Sequence, residues 1–579
     1  MTVVAIRENT EVVNLIIEVD GQALPRYIPV QSVEVIRQAN RMPFAMIRLS
    51  DGLAAEGNFE YSSSDDFLPG KNLTVISGYA ENTQPIFSGV ILRQKVIVKP
   101  ETSWLEVECR DLAVKMTLVK HTRYHEEVTD SDIVQNLINE YDGIEANIAA
   151  TDVTHPQLLQ YHVSDWDFMI SRLEANGQIC FVTDGTITTV KPDISAEPLA
   201  EVAFGNNLLE LDAEFDARSQ SAGVKTTAWS ATNQALEEIE AADPSWESNS
   251  NLTADDMLGA TAREMDVLVH GGSLATDALQ VWADGMLLRS RMAGSRGRAR
   301  FSGLAEIQLG TVLQLSSISD RFNGKVYVTG IRHQFVNNNW LTDIEFGLSP
   351  TPHAELFNIT HLPAAGLTPA INGLQIGVVT EIADDPAGEN RIRVKIPVAS
   401  MDEQGVWARV ATLDAGNERG TFFRPEVDDE VVLGFFHNDP AHPVIIGMLH
   451  SSAKPPPLEP TADNHEKAYV SRDGLKLHFD DDKKVITLET PEGNKLALSE
   501  EDGGILLEDQ NGNSITMNSN GISIASAGEI KLEASSDLKA EATNSEIKAS
   551  AEFKAEGGAS AEVSSSGTMT VKGSLVQIN

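Results

Sequence analysis

Residues 475–524 read LKLHFDDDKKVITLETPEGNKLALSEEDGGILLEDQNGNSITMNSNGISI. Apolar and polar side chains alternate within short pieces: Leu475/Leu477/Phe479, Ile486/Leu488, Leu496/Leu498, Ile505/Leu507, Ile515/Met517 and Ile522/Ile524. Gly-Asn, Gly-Gly and Asn-Gly pairs punctuate them at a spacing of about ten residues, as turns punctuate strands. A period of two gives each strand one apolar face and one face of Lys, Glu and Ser. The pattern continues at shorter spacing through Ile530/Leu532/Ala534, Leu538/Ala540/Ala542, Ile547/Ala549/Ala551 and Phe553/Ala555. A trimeric coiled coil suits the Ala, Glu and Lys of 529–556, but the apolar positions hold no heptad. Disorder suits the Ser/Ala/Gly/Glu content but does not account for the repeat. A stacked β-structure accounts for both.

Such a structure cannot stand as one chain. Residues 529–566 carry six large apolar side chains, too few to offset the conformational entropy of ordering the segment. A single ladder would also leave open edges. Three chains wound together pair those edges around a narrow core for which Ala and Ser are the right size. Residues 468–579 are therefore expected to form a trimeric β-helical needle, with Ile515, Met517, Ile522, Ile524, Ile530, Leu532, Leu538, Ile547 and Phe553 in its core.

Upstream, the chain divides by composition. A Pro-rich linker over 451–467 contains the stiff Lys454-Pro455-Pro456-Pro457 run. Residues 370–450 read as a compact β unit, and 351–369 as a linker. Residues 201–350 and 1–115 each show short strands between turns, the pattern of small barrels or sandwiches. Ala254–Leu288 is expected to be partly helical. Residues 116–200 are mixed. Asp130 caps an apolar stripe of Ile133, Val134, Leu137, Ile138 and Tyr141, and Ser164 starts a second helix that ends at Gly177. Asp184-Gly185 then joins Ile179–Thr183 to Thr186–Val190 as a type I′ hairpin. From these patterns the fold expected is mainly β, with two strand-rich units, a small mixed helical insert, a further compact β unit and the needle.

At 579 residues the chain exceeds a single core. It has no run of about 18 apolar residues long enough to span a bilayer. The N-terminus lacks the pattern of a signal peptide, so assembly in the cytoplasm is expected. Cys109 and Cys180 are the only cysteines, too few for a disulfide framework, and read as buried reduced thiols. A net charge of −41 argues against nucleic acid as a partner. Association must rest on burial and backbone pairing.

Ordered motifs along the chain resemble the VgrG spike family, itself similar to a fusion of the hub and needle proteins of contractile phage tails. The first hub barrel is represented by VDG at 19–21, NRMPFAMIRLSDG at 40–52, FLPG at 67–70, ISGYAEN at 76–82 and IFSGVI at 86–91. CRDLAVKMT at 109–117 and SDWDFMISRLEANGQICFVTDG at 164–185 resemble the hub's helical insert. RGRARFSGLAEIQLGTVLQL at 296–315 and FNGKVYVTGIRHQF at 322–335 resemble its second barrel. The most specific match is GLQIGVVTEIADDPAGENRIRVKIP at 373–397, VWARVAT at 406–412, GTFFRPEVDDEVVLGFFHNDPAHPVIIGML at 420–449 and the following PPP. These resemble the family's oligosaccharide/oligonucleotide-binding (OB) barrel and its exit into the needle, so the fold class that the resemblance implies is mainly β, with two hub-type β-barrels, a small α/β insert, an OB-fold barrel and an intertwined trimeric β-helix or β-prism needle.

Within the family, the start and short length are closest to spikes of extracellular contractile injection systems. Neither a lysozyme-like domain between barrel and needle nor an appended effector domain is evident. The resemblance implies a homotrimeric structural spike that punctures a target envelope mechanically and adapts a six-fold tube to a three-fold needle. Its implied partners are inner tube and baseplate proteins at the barrel end, possible effector cargo, and a PAAR-like tip protein docked on Val571, Leu575, Val576, Ile578 and Asn579. After assembly it would sit in an injection particle or secretion apparatus, exposed extracellularly or injected on firing.

Chemistry is sparse. His437, Asp439, His442 and His450 lie close in sequence, but their spacing fits no ligand set and reads as a turn. His125-Glu126-Glu127 lacks the second histidine of a zinc-protease helix. Asp480-Asp481-Asp482 reads as a hairpin turn, and Asp509–Asn513 lacks the distal Glu of a calcium loop. Arg289, Arg291, Arg296, Arg298 and Arg300 form the one basic cluster, a face set against acidic neighbours or a docking surface. No G-x-S-x-G or P-loop occurs, and no cofactor, metal or catalytic residue is expected. The competing functions are a cell-wall-degrading or effector-bearing spike enzyme, which needs a catalytic domain, and a trimeric glycan-binding fibre, which needs an aromatic-rich tip. After Phe479 only Phe553 is aromatic.

Overall fold

The computed structural model describes residues 6, 12–52, 57–247 and 250–578. It divides into two units, Met1–Ala370 with His437–Pro440, and Ile371–Phe436 with Ala441–Asn579.

In the first unit, strands from both hub regions join one 13-stranded sheet, while Val224–Ser230, Ala235–Glu240 and Asp266–His270 form a separate three-stranded one. The join is an antiparallel ladder between Val30–Gln38 and Gly324–Val336, running from Gly330 opposite Gln38 to Val336 opposite Ser32. The sequence predicted two β units but not this shared ladder, because period two locates strands and does not name their partners. Each half keeps its own core. Val33, Val35, Ala45, Ile47, Leu49, Leu105 and Val107 alternate inward in the first. Phe335 and Trp340 reach into it from the second half, stacked at 5.3 Å. Ala299, Phe301, Leu313, Val328 and Ile344 fill the second.

The insert packs helices Asp130–Asn139 and Asp165–Ala175 against the hairpin Ile179–Thr183/Thr186–Val190. Asp184 and Gly185 both have positive φ, 51° and 86°, as a type I′ turn requires. Ser164 caps the second helix by accepting from the Asp167 N–H. The first helix differs from expectation. Its cap is Thr129, whose hydroxyl accepts from the Asp132 N–H while the Asp132 carboxylate accepts from the Thr129 N–H. Asp130 is instead the buried first residue, committed to Arg172.

Ala254–Leu288 is partly helical, as expected, with a strand the sequence reading did not place. Helices Ala254–Thr261 and Thr276–Ala293 are separated by a strand, Asp266–His270, which pairs in parallel with Val224–Ser230. The longer helix crosses the insert where Gly285 meets Gly177; a Cβ on Gly285 would lie 2.6 Å from the Gly177 nitrogen. In the segment 351–369, His353 is buried and its Nε2 lies 2.8 Å from Asp167 Oδ1, so this stretch is pinned to the insert rather than free.

The second unit opens with a closed five-stranded barrel of Gln375–Glu381, Ile392–Lys395, Val406–Val410, Pro443–Met448 and Glu430–Phe435. Val379, Ile392, Val394, Ala408, Val431, Leu433 and Ile445 fill it. A sequential antiparallel meander follows: Glu466–Val470, Lys476–Asp480, Val485–Glu489, Lys495–Ser499, Gly504–Glu508, Ser514–Asn518 and Gly521–Ala525. Among the described residues, no strand follows Ala525.

Candidate functional site

The meander is amphipathic in two dimensions. Residues directly opposite in an antiparallel ladder point to the same face, so the register sorts the side chains. Leu477, Leu488, Leu496, Leu507, Ile515 and Ile524 follow one another across six strands as one column. Phe479, Ile486, Leu498, Ile505, Met517 and Ile522 form a second column two residues along each strand, on the same face.

This face is open in the single chain: Leu488 and Leu507 are 48% and 50% exposed, and Ile522 is 72% exposed. The opposite face carries Lys476, Glu489, Lys495 and Glu508 in register, a column of alternating sign suited to water.

The turns are built alike. Lys483 N–H donates to Asp480 Oδ1 at 3.0 Å, Asn494 N–H to Thr490 Oγ1 at 3.1 Å, and Asp502 N–H to Ser499 Oγ at 2.9 Å. The Asn511 and Asn513 N–H groups both donate to Asp509 Oδ1 at 2.9 Å. Donation from the Asn513 side chain and these N–H groups holds the Asp509 carboxyl down, to about 2. Backbone donors aimed at a carboxylate close a local turn.

Of the nine predicted core residues, Ile515, Met517, Ile522 and Ile524 lie at the far end of the two columns. Ile530, Leu532, Leu538, Ile547 and Phe553 are exposed in the single chain and belong to no strand. Their charged neighbours pair across one residue, Lys531 with Glu533, Asp537 with Lys539, Glu546 with Lys548 and Lys554 with Glu556. Val571, Leu575, Val576 and Ile578 are likewise exposed; Asn579 lies outside the described residues. The nine residues leave out the first four strands of both columns. Their Leu and Ile pairs were visible in sequence, but only the register shows that they share one face.

The basic cluster is consumed internally. Arg296 pairs with Glu214 at 2.8 Å, Arg298 with Glu210 at 3.3 Å, and Arg300 with Asp343 at 2.7 Å. Arg289 is buried against Glu174 and donates to the Ser349 and Thr351 carbonyls, while Arg291 donates to the Ser221 carbonyl. These arginines join elements of the hub.

The insert's acids are also committed. Asp130 accepts from Arg172, His155 and Asn176 at 2.6, 3.0 and 2.8 Å. Burial alone would raise its carboxyl, but these donors hold it below the ordinary range. Asp165 takes the same role with Tyr141, Gln160, His121 and Arg123.

His125 lies in the strand Lys120–Thr129 and stacks on Phe168. His437 stacks on His361, whose ring lies 4.1 Å from that of His162. Among the described residues, no group of three or more His, Cys, Asp or Glu could hold a metal. No helix among them is long and apolar enough to cross a membrane. Cys109 and Cys180 are buried and unbridged, and burial pushes both thiols up.

Three family models match the chain in order. Residues 9–337, more than half of it, match the Alg8 N-terminal domain. Residues 375–450 match the type VI secretion system/phage-baseplate injector OB domain. Residues 485–579 match the phage baseplate V C-terminal trimerisation domain.

The type VI secretion system spike protein VgrG4b of Pseudomonas aeruginosa is 32% identical over 110 residues. That match spans 18% of this chain and only 14% of the relative's length. Among solved structures, a tail protein from Neisseria meningitidis aligns at 16% identity and TM-score 0.44, covering 58% of this chain and 96% of its own. The E. coli c3393 protein, a type VI secretion component, aligns at 14% and 0.36, covering 75% and 99%. A Francisella PdpA–VgrG complex aligns at 10% and 0.41, covering 90% and 89%.

Proposed function

This chain belongs to the VgrG-like spikes of phage baseplates and type VI secretion systems, with an Alg8-type N-terminal domain, and from that premise we propose that three copies form the rigid tip of a contractile injection apparatus. The observation that carries the trimer is the two-column apolar face of residues 477–524, uncovered in one chain and overlapping the matched trimerisation domain.

In this reading the hub strands face the tube, the OB barrel leads into the needle, and the needle's end meets the target first. Contraction of a sheath drives it through an envelope. Val571, Leu575, Val576, Ile578 and Asn579 would seat a small cone-shaped tip protein. The chain would assemble in the cytoplasm and leave it on firing. Puncture requires stiffness and slow unfolding, which shared strands provide, since several ladders must break together.

The spike acts without catalysis in this reading. The buried carboxylates of the insert are neutralised by Arg172, Arg123 and their companions, which makes them structural groups rather than acids and bases. The test is mass in solution together with resistance to SDS. A three-chain, SDS-resistant species is expected; a monomeric, SDS-labile protein overturns the reading. Peptidoglycan zymography is expected to give no clearing, and a cleared band would favour the spike enzyme.

A further inference from the structure

We infer that the His162, His361 and His437 rings form an acid-sensitive latch, which holds the segment 359–366 and the loop His437–Pro440 on the insert while the rings are neutral and lets them go as the rings take up protons. All three residues lie in the first unit of one chain, so the latch stands apart from the trimer reading.

Three segments distant in sequence meet here. The insert's ribbon, Lys120–Thr129 paired with Thr154–Ser164, slips register between Gln160 and Val163, and His162 sits in that kink with φ at 46°. Its backbone N–H donates to Thr122 Oγ1 at 3.1 Å, which fixes the kink. His361 comes two residues after Ile359, whose side chain packs on the insert's core. The His361 ring lies 4.1 Å from that of His162 and 4.3 Å from that of His437, nearly parallel to the latter at 20°. Tyr161 meets it edge-on at 6.1 Å. His437 also has a positive φ, 52°. A left-handed backbone is costly for a residue with a β-carbon. Here it occurs at two of the three ring-bearing positions, so the surrounding structure holds the rings where they are.

Charge decides what protons do to this stack. Elsewhere around the insert, His121, His155 and His353 face Asp165, Asp130 and Asp167 at 3.0, 3.0 and 2.8 Å, so a proton on any of them meets a carboxylate. The stack is the opposite case. The ionisable groups that bear on His361 are His162, His437 and Lys120, positive whenever they are charged. Asp439, in the same loop as His437, is not among them. Asp167, the carboxylate near Lys120, is committed to His353 and the Ser164 hydroxyl. His361 Nδ1 is buried without a hydrogen-bond partner. An imidazolium carries a proton on both nitrogens, so protonation would leave that N–H unsatisfied.

Burial first, and then these neighbours, hold the pKa of His361 below the ordinary 6.5. Once the segment lifts away the ring recovers its ordinary affinity, so opening takes up a proton. The closed latch is therefore fully stable above about pH 6.5 and weakens as pH falls, by up to about tenfold in the opening equilibrium per pH unit for each proton taken up.

The test is hydrogen exchange of the full chain, read on peptides covering 359–366 and 436–442 and corrected for the intrinsic pH dependence of exchange. Between pH 7 and 5.5, opening of both is expected to rise together by up to about tenfold, while the helix Asp130–Asn139 keeps its protection. His361→Phe keeps a ring that stacks but takes no proton, and is expected to remove the acid response. Lys120→Gln removes a positive neighbour, and is expected to move the midpoint of opening to lower pH.

A natural chain whose two segments open equally at both pH values overturns the inference. So does an acid response that survives His361→Phe unchanged, or a midpoint that Lys120→Gln leaves in place. If His361→Phe itself loses the protection of Asp130–Asn139, His437→Asn takes over the test, since Asn tolerates the left-handed backbone. It is expected to weaken the acid response, and an unchanged response overturns the latch.

Discussion

His333 lies at 2% exposure, its Nδ1 3.0 Å from Thr342 Oγ1 and facing the Trp340 indole N–H. Burial, with a smaller contribution from Arg37, pushes its pKa down to about 3 from an ordinary 6.5. Between those values the unfolded chain binds a proton that the folded chain refuses. Stability from this group is therefore complete above about pH 6.5 and falls as pH drops towards 3, with a slope of ~1.4 kcal/mol per pH unit. His333→Gln is expected to flatten that slope, read by hydrogen exchange of the Gly324–Val336 strand between pH 6.5 and 4; an unchanged slope would contradict it.

The Asp130–Arg172 pair behaves differently. Asp130→Ala would leave Arg172, His155 and Asn176 facing an empty acceptor and is expected to cost about 3 kcal/mol in the insert, measured as earlier local unfolding by proteolysis. At the Gly177–Gly285 contact, Gly285→Ala is expected to cost about 1–3 kcal/mol, because the clash is with backbone that cannot rotate away. None of these three pairings was visible as a pairing in sequence. His333, Arg172 and Gly285 were visible only as residues, and their partners come from distant segments.

At the scale of elements, local signals were legible wherever one segment decides its own structure. The Asp184-Gly185 hairpin, the Ser164 cap and the repeated turns of the meander all follow from neighbours within four residues. The strand Asp266–His270 escaped notice because a parallel edge strand sits beside two helices and takes its pairing from Val224–Ser230, about forty residues earlier. The Asp130 cap was misplaced by one residue, since Thr129-Asp130-Ser131-Asp132 offers two acceptors and the capping box selects the hydroxyl.

The meander's turns carry a prediction of their own. Asp509→Ala removes the acceptor for two backbone N–H groups and is expected to cost about 1–2 kcal/mol, seen as faster exchange of the Ser514–Asn518 amides while neighbouring strands hold. Loss of trimer without loss of exchange protection would contradict a purely local role for this turn.

For the whole molecule, deleting 468–579 is expected to leave hub and barrel soluble and to abolish the SDS-resistant species; retention of that species would contradict a needle-based trimer. The large apolar pairs from Leu477 to Ile524, the loss of aromatics after Phe479 and the Ala/Ser-rich continuation were decided by sequence alone. They are periodic properties of one strand at a time. Sequence alone also located the β units and the insert helices, and marked 370–450 as one compact β unit without its individual strands.

Tertiary structure decided what periodicity cannot encode. The hub's two halves share one sheet through Val30–Gln38 and Gly324–Val336. The arginines of 289–300 are internal ties. The meander's apolar residues fall into two columns on one open face, and just past its last strand Ser526 Oγ donates to Asn513 Oδ1. The physical reason is the same in each case. Alternation fixes which way a side chain points, whereas the partner it points at depends on register between segments distant in sequence.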